Sequence, residues 1–511
     1  MTDGLSALLL GGAALMLYRL TLAPTLSWRN GGVDGGDLVT AAALGGVPHP
    51  SGYPIYMLLA RLFLWLPLGD EARRLNWLSA VFAALALLGF YALASQLLAH
   101  QSDWLRRASV FGAGSVLATT PLLWALATIS EVHTLHLFFV VALLWALWRW
   151  REQPRLSRVT LLGLLLGLGL GNHLTLLLTT PAVGVIFLLE VARSKETSRL
   201  MQCAQWLSGG ALGLYLGLLV YAYLPIASSV SSYTPWGNID SAEAFSAHVG
   251  GALYHHYLFA LPLEEWPRRA LVLWQMALSE FQGWGYVLAL VGLVAHWRTD
   301  WRGALGLACG VSANVLFAIG YNTSDSFQYL LPTWLICGLW LALGLHVAFD
   351  YTRRQWRRGA GAALFIGVCV IGGLIIARRY PLLDVSQDRA AEQFAFQALG
   401  ALPHDAILIS GSDAHTFALW YFALVRRART DVIIVDQDLF SHAPYRAYLQ
   451  TQWPELDLAP DLSLDAWMQT QWKQKPIFMT DPPAWAKRKY RLRLQGDTQQ
   501  VIGVLSDAPG N

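Results

Sequence analysis

Long apolar runs, separated by short polar connections, make up most of the chain. A helix needs about 20 mostly apolar residues to cross the hydrocarbon core of a membrane, and about eleven runs approach that length. They lie at 4–23, 75–98, 108–128, 134–150, 158–171, 173–191, 206–226, 270–296, 303–320, 328–348 and 359–377. The pattern predicts a mainly α-helical, polytopic membrane protein.

The pattern changes near residue 379, where short apolar strands begin to alternate with polar or amphipathic stretches. Two buried strands on either side of an amphipathic helix predict a βαβ unit, and a further strand and a hairpin follow. These elements are expected at 406–410, 415–427, 431–435, 476–480 and 490–505. We therefore predict two domains: a membrane core over 1–378, with a first loop at 24–74, and an α/β domain over 379–511.

Basic residues are concentrated in alternate short connections, which marks the cytoplasmic side of the membrane. Examples are Arg106 and Arg107, Arg149 and Arg151, Arg298 and Arg302, and Arg353 and Arg354. The N-terminus is then cytoplasmic, and an odd number of spans places the α/β domain outside. The excess of Arg over Lys, with abundant Ala, Leu and Gly, favours a bacterial plasma membrane.

Composition excludes several other classes of protein. Of 511 residues, 55% are hydrophobic and only 14% are charged, whereas soluble domains average about 25% charged residues. A net charge of +3 gives no nucleic-acid-binding footprint. The four cysteines lie inside apolar runs, so they do not indicate a disulfide framework.

The strongest polar signal is the pair Asp34 and Asp37 in the glycine-rich first loop. An acid placed just outside the membrane could act as a general base that takes the proton of an acceptor hydroxyl. The alternative is structural, because a short helix is expected over 38–44 and an Asp directly before a helix often caps it. The sequence leaves both interpretations open.

Other polar residues are predicted on the same side of the membrane. His49 lies between Pro48 and Pro50, which hold the backbone extended and could direct the imidazole toward a substrate. The alternative is that this segment is only a rigid connection into an interfacial helix. Glu131 and His173 lie at the outer ends of spans, where such groups mark either a site or only the interface. In the α/β domain, we expect Gly411-Ser412-Asp413 to start a helix and Asp436-Gln437-Asp438 to cap a strand.

Six motifs in one order resemble the transmembrane O-mannosyltransferase family of the GT-C superfamily. They are Asp34-Gly35-Gly36-Asp37 with Val47 to Pro54, Arg74 to Ala80, Ser130-Glu131-Val132-His133, Asn172-His173-Leu174-Thr175, Pro235-Trp236-Gly237-Asn238, and Tyr329-Leu330-Leu331-Pro332. The stretch from Ala406 through Asp413 to Asp431-Val432 is similar to the outer domain of that family. The resemblance covers most of the chain.

This resemblance implies a glycosyltransferase that moves a sugar, mannose or a similar hexose, from a polyprenyl-phosphate donor to a hydroxyl acceptor, for which Ser or Thr of an exported protein is favoured. The implied mechanism is a single inverting displacement with Asp34 or Asp37 as catalytic base. The family has Glu at the second position, where this chain has Asp37, and Asp34 is the favoured base. Membrane lipids are expected partners, and no cofactor or bound metal is expected, although a divalent cation stays open.

Substrate-binding candidates follow from the same motifs and polar clusters. The leaving phosphate needs positive charge, for which the candidates are Arg74, His49 and His173. The remaining candidates are Tyr53, Asn76, Glu131, Trp236, Asn238 and Asp325.

Two other functions compete with transfer. A transporter or lipid-linked sugar flippase would move its substrate without breaking a bond. A non-catalytic receptor would use the α/β domain as its binding module. Both remain alternatives at the level of sequence.

Overall fold

The structure, a computed structural model, describes residues 2–99, 101, 103–193, 199–355, 360–459 and 461–505. Its α-helices are α1 (Asp3–Thr21), α2 (Gly35–Leu44), α3 (Pro54–Phe63), α4 (Glu71–Leu97), α5 (Asp103–Ala118), α6 (Pro121–Leu126), α7 (His133–Glu152), α8 (Leu156–Leu170), α9 (Thr180–Arg193), α10 (Arg199–Leu218), α11 (Tyr223–Val230), α12 (Ala242–Val249), α13 (Trp266–Phe281), α14 (Trp284–Gly320), α15 (Leu331–Gln355), α16 (Ala360–Leu383), α17 (Ala390–Gly400), α18 (Asp413–Trp420), α19 (Ala443–Gln452), α20 (Leu464–Gln471) and α21 (Ala484–Lys489). The strands are β1 (Ile407–Ser410), β2 (Ile433–Asp436), β3 (Ile477–Met479), β4 (Tyr490–Gln495) and β5 (Thr498–Val504). Two 3-10 helices, Leu174–Thr179 and Ser326–Leu330, border the candidate site.

Within these ranges, seven helical segments are long and apolar enough to cross a membrane. They are Asp3–Thr21, Glu71–Leu97, His133–Glu152, Leu174–Arg193, Met201–Val230, Trp284–Gly320 and Ser326–Gln355. The longest, α14, has 37 residues and loses helical geometry at Asp300 (φ −147°, ψ 75°), so its two halves are distinct helical segments. The prediction of a polytopic, mainly helical protein is confirmed.

One predicted span has different bounds in the structure. The run 270–296 is interrupted where Gln282 and Gly283 adopt positive φ values of 55° and 63°. As a result α13 ends at Phe281 and α14 starts at Trp284. The run carries a sign of this break, because Ser279, Glu280, Gln282 and Gly283 interrupt the apolar residues there.

Glycines allow the membrane helices to pack backbone to backbone. A Cβ added at Gly163 or Gly213 would collide with backbone atoms of the facing helix in the α8–α10 pair. The same holds for Gly292 and Gly344 between α14 and α15. Small residues at such contacts are the usual means of close helix association in lipid, where the hydrophobic effect does not drive helices together.

The C-terminal unit (residues 384–505) contains one mixed five-stranded sheet in the order β2-β1-β3-β5-β4. Strand β1 pairs in parallel with β2 and with β3, while β5 pairs antiparallel with β3 and β4. Helix α18 connects β1 to β2, which confirms the predicted βαβ unit. The predicted boundary at 378/379 falls inside α16, which continues to Leu383.

The C-terminal unit packs directly on the first loop. A Cβ at Gly36 in α2 would lie 2.5 Å from the backbone of Phe417 in α18, so only glycine permits this approach. The indole of Trp28 donates to the carbonyl of Ala414 at 2.9 Å, and Arg426 pairs with Glu71 at 3.0 Å. The first loop and the C-terminal unit are therefore in direct contact through packing, a hydrogen bond and an ion pair.

We expect the substitution Gly36→Ala to destabilise the protein, although alanine favours a helix over glycine by about 1 kcal/mol. The added methyl group overlaps the backbone of α18, and such overpacking costs about 1–3 kcal/mol. Thermal unfolding of the purified protein in detergent measures the effect. The matched control is Gly400→Ala in α17, where a Cβ meets no atom within 4 Å, and equal midpoints for the two variants would contradict the contact.

Candidate active site

A cavity of about 960 Å3 lies where the first loop, the 3-10 helix Leu174–Thr179, the segments 250–258 and 317–329, and α18 meet. Six of the predicted site residues line it: Asp34, His49, Tyr53, His173, Trp236 and Asp325. One end is polar and carries carboxylates, while Leu174, Leu177, Leu178 and Phe317 contribute an apolar part. The cavity thus offers both polar and hydrocarbon-like surroundings to a ligand.

Asp37 is completely buried behind this cavity, in the first turn of α2. Its Oδ2 accepts hydrogen bonds from the backbone N–H of His49 at 2.7 Å and from Nδ1 of His49 at 2.8 Å. Its Oδ1 accepts from the hydroxyl of Tyr233 at 2.9 Å and from the indole of Trp236 at 3.2 Å. With four donors the carboxylate is fully engaged, so Asp37 acts as an anchor and does not face the cavity.

His49 is held in a single orientation by this anchor. The Nδ1 atom faces Asp37, which leaves Nε2 pointing to the hydroxyl of Tyr53 at 2.9 Å and to Oδ2 of Asp34 at 3.8 Å. Burial lowers the pKa of His49, but the carboxylates of Asp34 and Asp37 outweigh it and raise the pKa overall. The imidazole therefore favours the charged form more than an ordinary histidine does.

Asp34 occupies the position directly before α2 but forms no cap, since its side chain accepts no hydrogen bond from the helix. The side chain is 43% exposed to the interior of the cavity, and within the described ranges no donor binds its carboxylate. Enclosure by protein raises the pKa of Asp34; His49 opposes this shift, while Asp325 and Asp37 add to it. Of the two first-loop acids, Asp34 is the one available to a ligand.

His173 contributes a second imidazole to the cavity. It precedes the 3-10 helix Leu174–Thr179 and its Nδ1 is bonded to the hydroxyl of Thr175 at 2.7 Å. The ring centroid lies 5.8 Å from Tyr53 and 5.8 Å from Tyr329. Aromatic packing and one hydrogen bond thus fix the ring beside the His49–Tyr53 pair.

Four other predicted residues are not among those that line the cavity. Arg74 turns away and donates to the carbonyl of Leu64 at 2.7 Å, so the structure does not support it as the phosphate-binding cation. The side chain of Asn76 is bonded to the carbonyls of Ala23 and Thr25. Glu131 is buried beneath the first loop, and Asn238 lines a separate cleft between the 225–240 segment and α19.

The sequence interpretation missed the contribution of α18. Asp413 and Phe417 both line the cavity, and the Phe417 ring is parallel to the imidazole of His49 (interplanar angle 8°, centroids 6.4 Å apart). Burial, with Asp436 and Asp34, raises the pKa of Asp413 to about 6. A signal existed: Asp413 follows the carboxyl end of a parallel strand, which is the usual position of a ligand site in an α/β sheet.

In the part of the chain that the structure describes, no three His, Cys, Asp or Glu side chains form an arrangement that could hold a metal ion. The carboxylates that line the cavity, those of Asp34, Asp325 and Asp413, are therefore not a preformed ligand set.

A stretch of the membrane core and a stretch of the C-terminal unit each match a model of a known protein family. Residues 34–197 match the model of the protein O-mannosyl-transferase TMEM260 N-terminal domain, and residues 391–460 match TMEM260-associated domain 2. The mouse (Mus musculus) protein O-mannosyl-transferase TMEM260 is 26% identical over 476 residues, which cover 87% of this chain and 64% of the mouse protein. The Dictyostelium discoideum protein of the same name is 21% identical over 488 residues, covering 83% and 56%. The chain thus spans 56–64% of the length of these curated relatives.

Solved structures share the fold. ArnT from Cupriavidus metallidurans bound to undecaprenyl phosphate superposes with a TM-score of 0.58 at 11% identity, over 99% of both chains. The archaeal oligosaccharyltransferase AglB from Archaeoglobus fulgidus, in complex with an inhibitory peptide and a dolichol-phosphate, superposes with a TM-score of 0.52 at 12% identity, over 93% of this chain and 69% of AglB. The chain therefore shares the fold of these two proteins, and the protein is an integral membrane protein.

Proposed function

Because this chain is homologous to the TMEM260 protein O-mannosyl-transferases and has the GT-C fold, we propose that it transfers a sugar from a polyprenyl-phosphate donor to a hydroxyl group of an exported protein. Mannose or a similar hexose is the proposed sugar. The observation that carries the proposal is the carboxylate of Asp34, which faces the cavity without a hydrogen-bond donor from the described protein, 3.8 Å from an imidazole that Asp37 anchors.

The chemistry is a single inverting displacement. Asp34 takes the proton of the acceptor hydroxyl, whose oxygen then attacks the anomeric carbon of the donor. The bond between that carbon and the phosphate oxygen breaks, and polyprenyl phosphate leaves with the electron pair. Negative charge develops on the phosphate. His49, whose pKa Asp34 and Asp37 raise and whose ring Asp37 fixes, provides positive charge in its protonated form without rearrangement.

The apolar part of the cavity suits the donor's isoprenoid chain. Leu174, Leu177 and Leu178 line the cavity beside His173, and Leu177 is 52% exposed. A lipid-linked donor can therefore enter sideways from the bilayer with its phosphate near the two imidazoles. Two related folds were solved with undecaprenyl phosphate and with dolichol-phosphate, which supports a donor of this class.

The proposed location is a bacterial plasma membrane, with the N-terminus in the cytoplasm and the C-terminal unit on the opposite side. The support is the concentration of arginines in alternate connections. The active site then faces the compartment that exported proteins enter.

Purified protein in liposomes should transfer radiolabelled mannose from polyprenyl-phosphate mannose to an exported protein fraction. One polyprenyl phosphate should be released for each sugar transferred. Since a single displacement inverts the anomeric carbon, a donor of one defined anomer should give only the opposite anomer in the product, as NMR can determine. Movement of the donor across the bilayer with no bond cleavage would instead support a flippase.

We expect transfer to be lost on acidification at a higher pH than for an ordinary aspartate, whose pKa is 3.8. Asp34 must be deprotonated to accept a proton, and its pKa is raised, so the rate should rise with pH through that raised value. At higher pH the rate should fall again, because His49 supplies positive charge only while it is protonated. The titratable groups that interact with Asp34 and shift this rise are His49, Asp37, Asp325, Asp413 and Glu131. A pH–rate profile at saturating donor measures it, and a rate that stays constant down to about pH 4 would contradict the assignment.

A further inference from the structure

The cavity is not complete without the C-terminal unit. Asp413 and Phe417 belong to α18, which packs on α2, the helix that begins directly after Asp34. The absence of a side chain at Gly36 permits this approach. A residue of the unit predicted to lie outside the membrane therefore faces the same space as the proposed base.

Asp413 differs from the other acids at this end of the sheet. Asp436 accepts hydrogen bonds from the hydroxyl of Thr416 at 2.6 Å and from the backbone N–H of Leu439 at 2.7 Å. Asp481 is bonded to His415. Asp413 is exposed at the cavity surface, and no donor from the described residues reaches its carboxylate. The carboxylate oxygens of Asp413 can therefore accept hydrogen bonds from a ligand.

The donor is a poor ligand for this carboxylate. A polyprenyl-phosphate sugar carries negative charge, and its chain requires the apolar part of the cavity, near Leu174 and Leu177. A third acid at Asp413, added to Asp34 and Asp325, repels the phosphate. None of the described lining residues is Lys or Arg, and the imidazole of His49 is already paired with Asp37 and Asp34. The carboxylate of Asp413 therefore favours a reactant that brings N–H donors or positive charge.

We propose that Asp413 is a specificity-determining residue that binds an N–H-bearing group of the acceptor polypeptide, preferably a cationic side chain beside the hydroxyl that receives the sugar. The inference rests on the proposed transfer function. It assigns the C-terminal unit a direct part in choosing the acceptor, in addition to its structural contact with the first loop.

The test uses the full-length protein in detergent and two fluorescent peptides that contain Ser and Thr and differ only in carrying Lys or Glu beside the hydroxyl residues. Wild type should bind the Lys peptide about tenfold more tightly, a difference of about 1.4 kcal/mol. The substitution Asp413→Asn should reduce this preference to less than about twofold, whereas Asp497→Asn, in the exposed β4–β5 turn, should leave it at the wild-type value. Because the ratio is measured within one protein sample, partial unfolding does not imitate the result.

Equal binding of the two peptides by wild type, or binding of neither, would overturn the inference, as would an unchanged preference in Asp413→Asn. Release of polyprenyl phosphate from the donor is measured separately. If Asp413→Asn loses that release as strongly as it loses peptide selection, the residue acts on the donor and the inference is wrong. If wild type releases no polyprenyl phosphate with any acceptor, the proposed function fails, and the peptide ratio still reports whether Asp413 selects by charge.

Discussion

Replacing Asp34 by asparagine is expected to lower the rate of sugar transfer by about a thousandfold while leaving the fold intact. A positioned general base contributes about 10²–10⁴ in rate, and a carboxamide cannot take up the proton of the acceptor hydroxyl. Stability should change little, because the described structure donates no hydrogen bond to this side chain and 43% of it is already exposed.

The measurement is the initial rate of transfer by purified Asp34→Asn at saturating donor, together with its thermal unfolding midpoint. Asp497→Asn is the matched control, since it makes the same chemical change at an exposed turn of the C-terminal unit. Transfer at the wild-type rate by Asp34→Asn would eliminate Asp34 as the base.

Asp37→Asn should also lose transfer but, unlike Asp34→Asn, it should lose much of the protein's stability as well. Both oxygens of Asp37 accept two hydrogen bonds, those from His49 on one side and those from Tyr233 and Trp236 on the other. An asparagine places its NH₂ group against two donors whichever way the amide is turned. Removal of one partner from a buried, hydrogen-bonded charge pair costs about 3–5 kcal/mol.

The unfolding midpoints of Asp34→Asn and Asp37→Asn, measured side by side, separate the two roles. The first should match wild type and the second should fall well below it. If both variants unfold at the wild-type midpoint, the anchoring role of Asp37 is wrong, regardless of the effect on transfer.

The sequence was sufficient for those features that depend on neighbouring residues. Apolar runs located the main helices, and the strand–helix–strand pattern located the βαβ unit. The break at Gln282 and Gly283 was missed although the sequence marks it, since Ser279, Glu280, Gln282 and Gly283 interrupt the apolar run there.

Features that depend on distant residues could not be predicted. Asp34 and Asp37 look alike in sequence, and their different environments arise because Tyr233 and Trp236, almost 200 residues away, bind only Asp37. Arg74 was an expected phosphate ligand, but its guanidinium donates a hydrogen bond to the carbonyl of Leu64, ten residues earlier. Asp413 became a cavity residue only because a whole folded unit packs against Gly36.

The four hydrogen bonds to Asp37 have a mechanical consequence. Since Tyr233 and Trp236 donate to the same carboxylate that orients His49, a displacement of the segment 231–238 would reach the imidazole through Asp37. A polypeptide that settles in the adjoining serine-rich cleft, which the same segment borders, would therefore tune the reacting groups from a distance, without touching either of them.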